Sequence, residues 1–526
     1  MEMLMKRCIV LIALFALFSC EKVDLPSAPE EEVVYHGMIE LGERLEDPYS
    51  VDNITKAIEN LYPTKAGRVE IAPTDLYLRF LPSSEEEFRL LESTVQVITD
   101  HPLDYRIVRE GDYYHDPEVP EGEITWQYVV VPSDFKVPEG IKCELIDKCY
   151  ISEHDAYTRA SDLDNIDWQA VEREAYRITG NEALLQPVTK AEAVRPAGRI
   201  TVVDPALNEG KPFGVAEVMV VCNSFVKFSA SYTDRDGYYA LPVAFSSEPR
   251  YRLVFKNRKG FSLGLNLVLL PASISTLGKG SPEGKDVCVK PSDDPGLYRR
   301  CVVNNSAYDY YTRCVETDLD IQAPPKNLSI WILGEIQGGS AAMLHQGVFT
   351  DIAQMSEKLG KYADILNVFL PDITIGCKGV ENYYTLYALT THELAHASHY
   401  MKAGDDYWQE YIKYILSSAV YEGSAYGSGL GEGAGYCEVG EVWAYFIESV
   451  LFKDRYGGSM PDVGTSYWFR PQILRYLYER GMSCGEIFKA LKPSVCSMDE
   501  LEDELITLYP ERETQIRQVF NRYARR

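Results

Sequence analysis

The chain has 526 residues, 46% hydrophobic and 25% charged, a length and balance that predict about three to four globular units. Its 52 basic residues stand against 79 acidic ones, a formal net charge of -27, and no local basic patch interrupts that field. A polyanion such as DNA or RNA would be repelled, so nucleic acid is excluded as an expected partner.

The N-terminus reads MEMLMKRCIVLIALFALFSC: Lys6 and Arg7, an apolar run from Ile9 to Phe18, then Ser19 and Cys20. The run is shorter than the roughly 20 residues a spanning helix needs, and its flanks follow the layout of a secretory signal. The ending LFSC resembles the lipobox of bacterial lipoproteins. That resemblance implies a signal peptide over 1–19, a lipid on Cys20, and a place in the bacterial cell envelope, anchored to the membrane on the periplasmic face or the cell surface. Residues 20–35, polar and acidic, read as a tether. With Cys8 and Cys20 set aside, ten of the 12 cysteines remain and form no CxxC pair, so a cysteine-ligated zinc site is not expected. Cys288, Cys301 and Cys314 lie near enough in sequence to include a bridge whose pairing the sequence leaves open.

Residues 36–190 mix strand and helix. DLYLRFLP alternates as a strand, SSEEEFRLLES opens a helix capped at Ser83 or Ser84, TWQYVVVP reads as a further strand, and NIDWQAVEREAYRITGN is a helix stopped by Gly180. His101, His115 and His154 are dispersed there, as turn or surface histidines are. The region is expected to be an α+β accessory module.

Residues 196–270 are all-β by pattern, with short alternating runs such as GRITVVD, GVAEVMVVC and YRLVFKN between Gly, Asn and Asp turns. Within them TDRDGYYALP, a strand, an Asp/Gly turn, then aromatic, Leu and Pro, resembles the carboxypeptidase regulatory-like domain. The resemblance implies a transthyretin-like sandwich acting as a scaffold. Asp234 and Asp236 suggest either a calcium site or the turn itself, and acids flanking a turn glycine favour the turn.

Residues 285–526 begin with strands, NLSIWILGE and DILNVFLPDI, and become dominantly helical after Gly376. The stretch ALTTHELAHASHYM holds three of the chain's 8 histidines. On a helix His392 and His396 stand one turn apart, about 6 Å along the axis, so both imidazoles can meet one ion. Glu393 sits one position round, off the metal and near a water. The competing reading is a set of polar residues on the wet face of an ordinary helix.

THELAHASHY resembles the active-site helix of zincin metallopeptidases. The resemblance implies Zn2+ held by His392 and His396, with Glu393 as general base to a zinc-activated water in peptide-bond hydrolysis. The metzincin pattern HExxHxxGxxH is excluded, because His399 stands where its Gly belongs and Lys402 where its third His belongs. His399 itself lies about 10.5 Å along the axis from His392, too far to share the ion, and reads either as a residue behind the ligands or at the cleft edge or as an ordinary surface histidine.

In the gluzincin branch the third ligand is a Glu on a later helix, often as E-x-x-A. GLGEGAGYCEVGEVWAYFIESVLF offers Glu441 in EVWAYF, with Glu438 as the competitor. Both border the apolar arc of Val439, Val442, Trp443 and Phe446, and both suit a helix N-terminus. Gly440 is read as allowing close approach to the zinc helix, and Cys437 stands beside the acids. GSAAMLHQG, with His345, is a candidate edge strand for substrate, and Tyr467 or Arg470 are candidates for transition-state stabilisation.

The expectation is a multidomain α+β protein: an α+β N-terminal module, an all-β transthyretin-like sandwich, and a zincin-like α+β catalytic domain. It is read as a zinc metallopeptidase of gluzincin-like type with Cys20 lipidated and a peptide or protein as substrate. The alternatives are a non-catalytic cell-surface binding or adhesion lipoprotein, and a zinc hydrolase of a non-peptide amide.

Overall fold

The structure, a computed structural model, describes residues 38–64, 71–120, 122–154, 166–185, 195–264, 274–316, 319–337, 341–343, 372–380, 382–424 and 426–523. The signal peptide, Cys20, the tether, His345 and most of DILNVFLPDI lie outside the described residues.

The N-terminal region runs β1 (Glu40–Arg44), α1 (Val51–Leu61), β2 (Asp75–Leu81), α2 (Glu85–Thr94), β3 (Tyr105–Arg109), β4 (Gln127–Pro132), β5 (Lys142–Cys149) and α3 (Trp168–Ile178). β2 is central in an antiparallel sheet ordered β4-β2-β5, and β1 pairs with β3. Local chemistry places the helix ends: Ser84 caps α2 by accepting the Glu87 amide, Asp167 caps α3, and Gly180 takes the left-handed conformation just beyond it.

Next come β6 (Ala197–Val202), β7 (Phe213–Gly214), β8 (Met219–Ser224), β9 (Lys227–Tyr232), β10 (Tyr238–Ala240), β11 (Arg250–Val254), β12 (Phe261–Gly264), β13 (Ile274–Lys279) and β14 (Val287–Val289). They form one sheet ordered β10-β6-β14, with β7 on β6, and another ordered β13-β11-β8-β9. Ile200 and Val202 from the first and Val220, Cys222, Tyr251 and Leu253 from the second are buried in one cluster. β12 belongs to neither. It pairs in parallel with β15 (Leu328–Gln337), which follows α4 (Pro295–Glu316). β16 (Ala341–Met343) and β17 (Ile373–Lys378) complete that sheet in the order β12-β15-β17-β16.

The remainder is helical: α5 (Tyr383–Ala403), α6 (Asp405–Glu422), α7 (Ala434–Tyr456), α8 (Gln472–Glu479), α9 (Cys484–Ala490), α10 (Met498–Leu508) and α11 (Glu513–Tyr523). The architecture is mixed α+β with several sheets. The ten cysteines among the described residues, Cys288, Cys301 and Cys314 included, are all free thiols.

One hydrophobic cluster runs from Ile200 through the two small sheets, α4 and α5 to Phe520, so packing does not break between the β-rich stretch and the helices. The N-terminal region has its own clusters, and the turn between β8 and β9 reaches into one of them. Phe225 and Val226 are buried there with Tyr49, Tyr77, Trp126 and Tyr176. Beside them the Lys227 ammonium, with 2% of its side chain exposed, meets Glu153 at 2.7 Å and Glu172 at 3.2 Å. Glu172 also accepts from Tyr49 and from Ser246, the latter at 2.8 Å. Removing the ammonium would strand the Glu172 carboxylate, 11% exposed, while Glu153 keeps water, and a broken buried pair costs about 3 to 5 kcal/mol. Lys227→Met should therefore lower the melting temperature and speed proteolysis between residues 36 and 190, with Glu172→Gln on top restoring part of the loss. An unchanged melt and cleavage pattern in Lys227→Met would show that this cluster does not hold the N-terminal region in place.

Candidate metal centre

The site is built on α5. Asn382 caps it by accepting the Thr385 amide, and every residue from Leu386 to His399 is buried. A helix enclosed for fourteen consecutive residues has no wet face, so the four polar residues of the motif lie inside the protein. Their exposures are 4% for His392, 2% for Glu393, 3% for His396 and 0% for His399. Neighbouring helices brace the backbone around them. Tyr310 of α4 donates to Ser398 at 2.9 Å, Tyr387 donates to Asp309 of α4 at 2.7 Å, and the Trp443 indole of α7 donates to the Ala395 carbonyl at 3.0 Å.

α7 begins at Ala434 behind Gly433, which places Glu441 two turns inside the helix. The field of a helix N-terminus fades within the first turn, so complementing the dipole does not account for Glu441. Glu441 is 1% exposed and faces both imidazoles. Its Oε2 lies 3.5 Å from Nε2 of His392, and its Oε1 lies 3.4 Å from Nε2 of His396. These separations exceed the usual 2.7–3.2 Å of an N–H···O bond. They are close to the roughly 3.4 Å between two ligand atoms about 2.1 Å from a common ion, with each imidazole facing a different oxygen of the carboxylate. The ligand atoms of His392, His396 and Glu441 all fall within 4.8 Å of one another, and no other such group of three occurs among the described residues. Two imidazoles and one carboxylate are donors that Zn2+ accepts, so the residues fit that ion.

Three partners hold these groups. Nδ1 of His392 donates to Oε2 of Glu448 at 3.1 Å, and its Nε2 faces Glu441. Tyr411 of α6 donates to Oε1 of Glu441, and Tyr426 donates to Oε2 at 3.2 Å. Aromatic rings restrict the imidazoles further, with Tyr445 4.4 Å from His392 and Trp408 5.5 Å from His396 between ring centroids.

The electrostatics follow from this enclosure. Burial alone would lift the Glu441 carboxyl, but the charge of His396 and contacts with both imidazoles overcome it and hold the group well below the ordinary carboxylate range. Burial would likewise lower His392, and its contacts with Glu441 and Glu448 reverse that, holding it well above the usual value. Glu393 moves the other way: burial raises its carboxyl, with His392 and His396 opposing. Its Oε2 is buried and has no hydrogen-bond partner.

Among the other candidates, Glu438 is half-buried and stands outside the group of three. Gly440 does make room, but for a different neighbour than expected. A Cβ there would come within 3.1 Å of the Tyr411 ring, so the glycine admits the tyrosine that holds Glu441 and not the zinc helix. Cys437 is buried on α7 outside the group of three, its thiol pushed well up by burial. Tyr467 packs on Tyr426 at 4.8 Å and on Tyr445 at 6.3 Å, one ring removed from both Glu441 and His392. Arg470 directs Nη1 to the carbonyls of Tyr467 and Phe469 in its own loop. Glu448, Tyr411 and Tyr426 were not anticipated. Glu448 carried a readable signal, since it lies seven residues after Glu441 and therefore on the same helix face.

Replacing Glu448 tests its hold on His392. Glu448→Ala should weaken zinc binding roughly 10- to 100-fold, as losses of such outer partners do, while the melting temperature of the metal-free protein changes little. Competition with a chromophoric chelator measures this, and an unchanged affinity would remove Glu448 from the site. Compared with models of known families, with curated proteins and with solved structures, the chain matches none of them.

Proposed function

We propose that the chain is a zinc-dependent metallopeptidase of gluzincin-like type. The observation that carries the reading is the buried convergence of His392, His396 and Glu441, their ligand atoms within 4.8 Å of one another, with Glu393 one residue from the first histidine. Nε2 of His392, Nε2 of His396 and the Glu441 carboxylate would hold the ion. When bound, zinc supplies a Lewis acid that polarises a carbonyl and lowers the pKa of water to about 7.

The protein's own groups do the rest. Glu393 Oε2, unpartnered and raised by burial, takes a proton from the attacking water as its oxygen bonds to the peptide carbon. The same carboxyl then gives that proton to the leaving nitrogen as the C–N bond breaks, so the base is restored. With the ion bound, Glu448 would keep His392 in the tautomer that offers Nε2, and Tyr411 and Tyr426 hold the Glu441 carboxylate in place.

The surrounding regions are assigned in the same proposal. β16 ends the four-strand order beside β17, next to α5, and would present its edge to an extended peptide. The two small sheets are inferred to be the carboxypeptidase regulatory-like scaffold. In support, Asp234 Oδ1 accepts the amides of Asp236 and Tyr238, and Gly237 adopts φ 85° where a Cβ would lie 2.1 Å from the Ile200 carbonyl oxygen. The TDRDG acids thus build a turn that needs glycine. The lipobox-like leader would tether the enzyme to the membrane through Cys20.

Three substitutions test the reading. Glu393→Gln should retain a full equivalent of zinc and lose nearly all turnover of a casein or peptide-library substrate, because an amide cannot accept the proton. Glu441→Ala should lose both metal and activity, whereas Glu438→Ala should keep both. Metal content by mass spectrometry alongside the protease assay reads all three. Zinc retained with full activity in Glu441→Ala would sink the ligand assignment, and zinc without peptide hydrolysis in the parent protein would favour a non-peptide amide.

A further inference from the structure

His396 differs from His392 in one respect. Nδ1 of His392 meets Glu448, whereas Nδ1 of His396 is buried without a hydrogen-bond partner. Three neighbouring atoms share that condition: the Trp408 indole Nε1 and both ring nitrogens of His399. The three rings form one group. His396 and Trp408 have centroids 5.5 Å apart at 84°, and Trp408 and His399 are 5.8 Å apart at 73°. His399 stands one helical turn beyond His396 on α5 and is closed off by Tyr407 at 4.9 Å.

Donor and acceptor accounting limits how these atoms can be satisfied. With zinc on Nε2 of His396, as the reading above has it, Nδ1 of that ring carries the hydrogen and is a donor. The Trp408 indole is also a donor and nothing else. Neither can serve the other, so an acceptor is required. Glu393 is not that acceptor, since no ion pair within 4.0 Å joins it to His396, and its oxygen is assigned to the reacting water. A neutral imidazole has one bare nitrogen, and His399 is kept neutral by burial and then by the nearby His396, which hold it down to about 3. Leaving a buried polar atom unmatched is costly, and a buried water with two lone pairs and two hydrogens can match several at once.

We propose that His399 is the positioning partner of His396, its bare ring nitrogen taking up the Nδ1–H of His396 through one buried water that the Trp408 indole also donates to. This inference rests on the zinc reading above. It makes His399 the counterpart of Glu448, each fixing the tautomer and ring plane of one metal-binding histidine, the first through a neutral acceptor and the second through a carboxylate.

The test uses the full chain with His399→Leu, which removes the acceptor, His399→Gln, which restores one, and Trp408→Phe, which removes only the second donor. Zinc dissociation constants come from chelator competition, the His396 tautomer from imidazole 15N shifts in metal-free and zinc-loaded protein, and folding from thermal melts. His399→Leu should bind zinc roughly 10- to 100-fold more weakly and show His396 in mixed tautomers, with His399→Gln recovering most of both and Trp408→Phe falling between. Unchanged affinity and tautomer in His399→Leu would overturn the proposal, as would equal losses in the Leu and Gln variants, which would mark a packing role alone. If His399→Leu fails to fold, the Gln and Phe variants still decide by the same readouts. Should the parent protein bind no zinc, the metal reading fails and this inference falls with it.

Discussion

A carboxylate buried to 1% exposure between two imidazoles is the constraint from which the C-terminal half of the molecule takes its form. An isolated charge in that position is prohibitive, so every element that encloses Glu441 must also bring it a compensating group. α5 brings two imidazoles, α6 brings the Tyr411 hydroxyl, and the loop before α7 brings Tyr426. That loop is in turn held by its own backbone, since the Tyr426 carbonyl accepts from Tyr414 at 2.8 Å and from Trp468 at 2.6 Å. Enclosure and compensation come from the same side chains, which is why the site can be both dry and charged.

The sheets and helices around this centre act as its frame. α5 is held from one side by α4 and from another by α7, each through a hydrogen bond from a large aromatic residue to the helix or from the helix outward. Side-chain bonds of this kind add direction to packing that burial alone leaves free to slide. The shared cluster from Ile200 to Phe520 then couples the β-rich stretch to the metal helix. The β-rich stretch is thus part of the same core as the helices, and it packs against α4, on which α5 leans.

What could be read in the chain divides by range of interaction. His392, Glu393 and His396 were legible because a helix of known pitch sets their geometry from spacing alone. Glu441 was legible as a candidate but not separable from Glu438, because the arc of apolar neighbours flanks both, and the start of α7 at Ala434 comes only from the fold. Tyr411, Tyr426 and Trp408 could not be picked from 37 tyrosines and 6 tryptophans, since nothing local marks a ring that reaches another helix. β12 was placed in the sandwich because alternation looks the same whichever sheet a strand joins, and its parallel pairing with β15 is a choice made across 60 or so residues. Lys227 likewise reads as an ordinary strand residue until its two carboxylate partners arrive from the N-terminal region.

The distribution of charge also shows how three carboxylates come to be enclosed together. Glu393, Glu441 and Glu448 are three carboxylates enclosed with two imidazoles. In the metal-free chain protons supply the balancing charge, and His392 is accordingly held well above its ordinary value against the effect of burial. If the ion proposed above binds the two Nε2 atoms, its positive charge would take the place of protons beside the same carboxylates. Each Nε2 already faces an oxygen of Glu441, at 3.5 Å for His392 and 3.4 Å for His396, and the hydrogen bond from His392 to Glu448 would survive the exchange because it uses the other ring nitrogen.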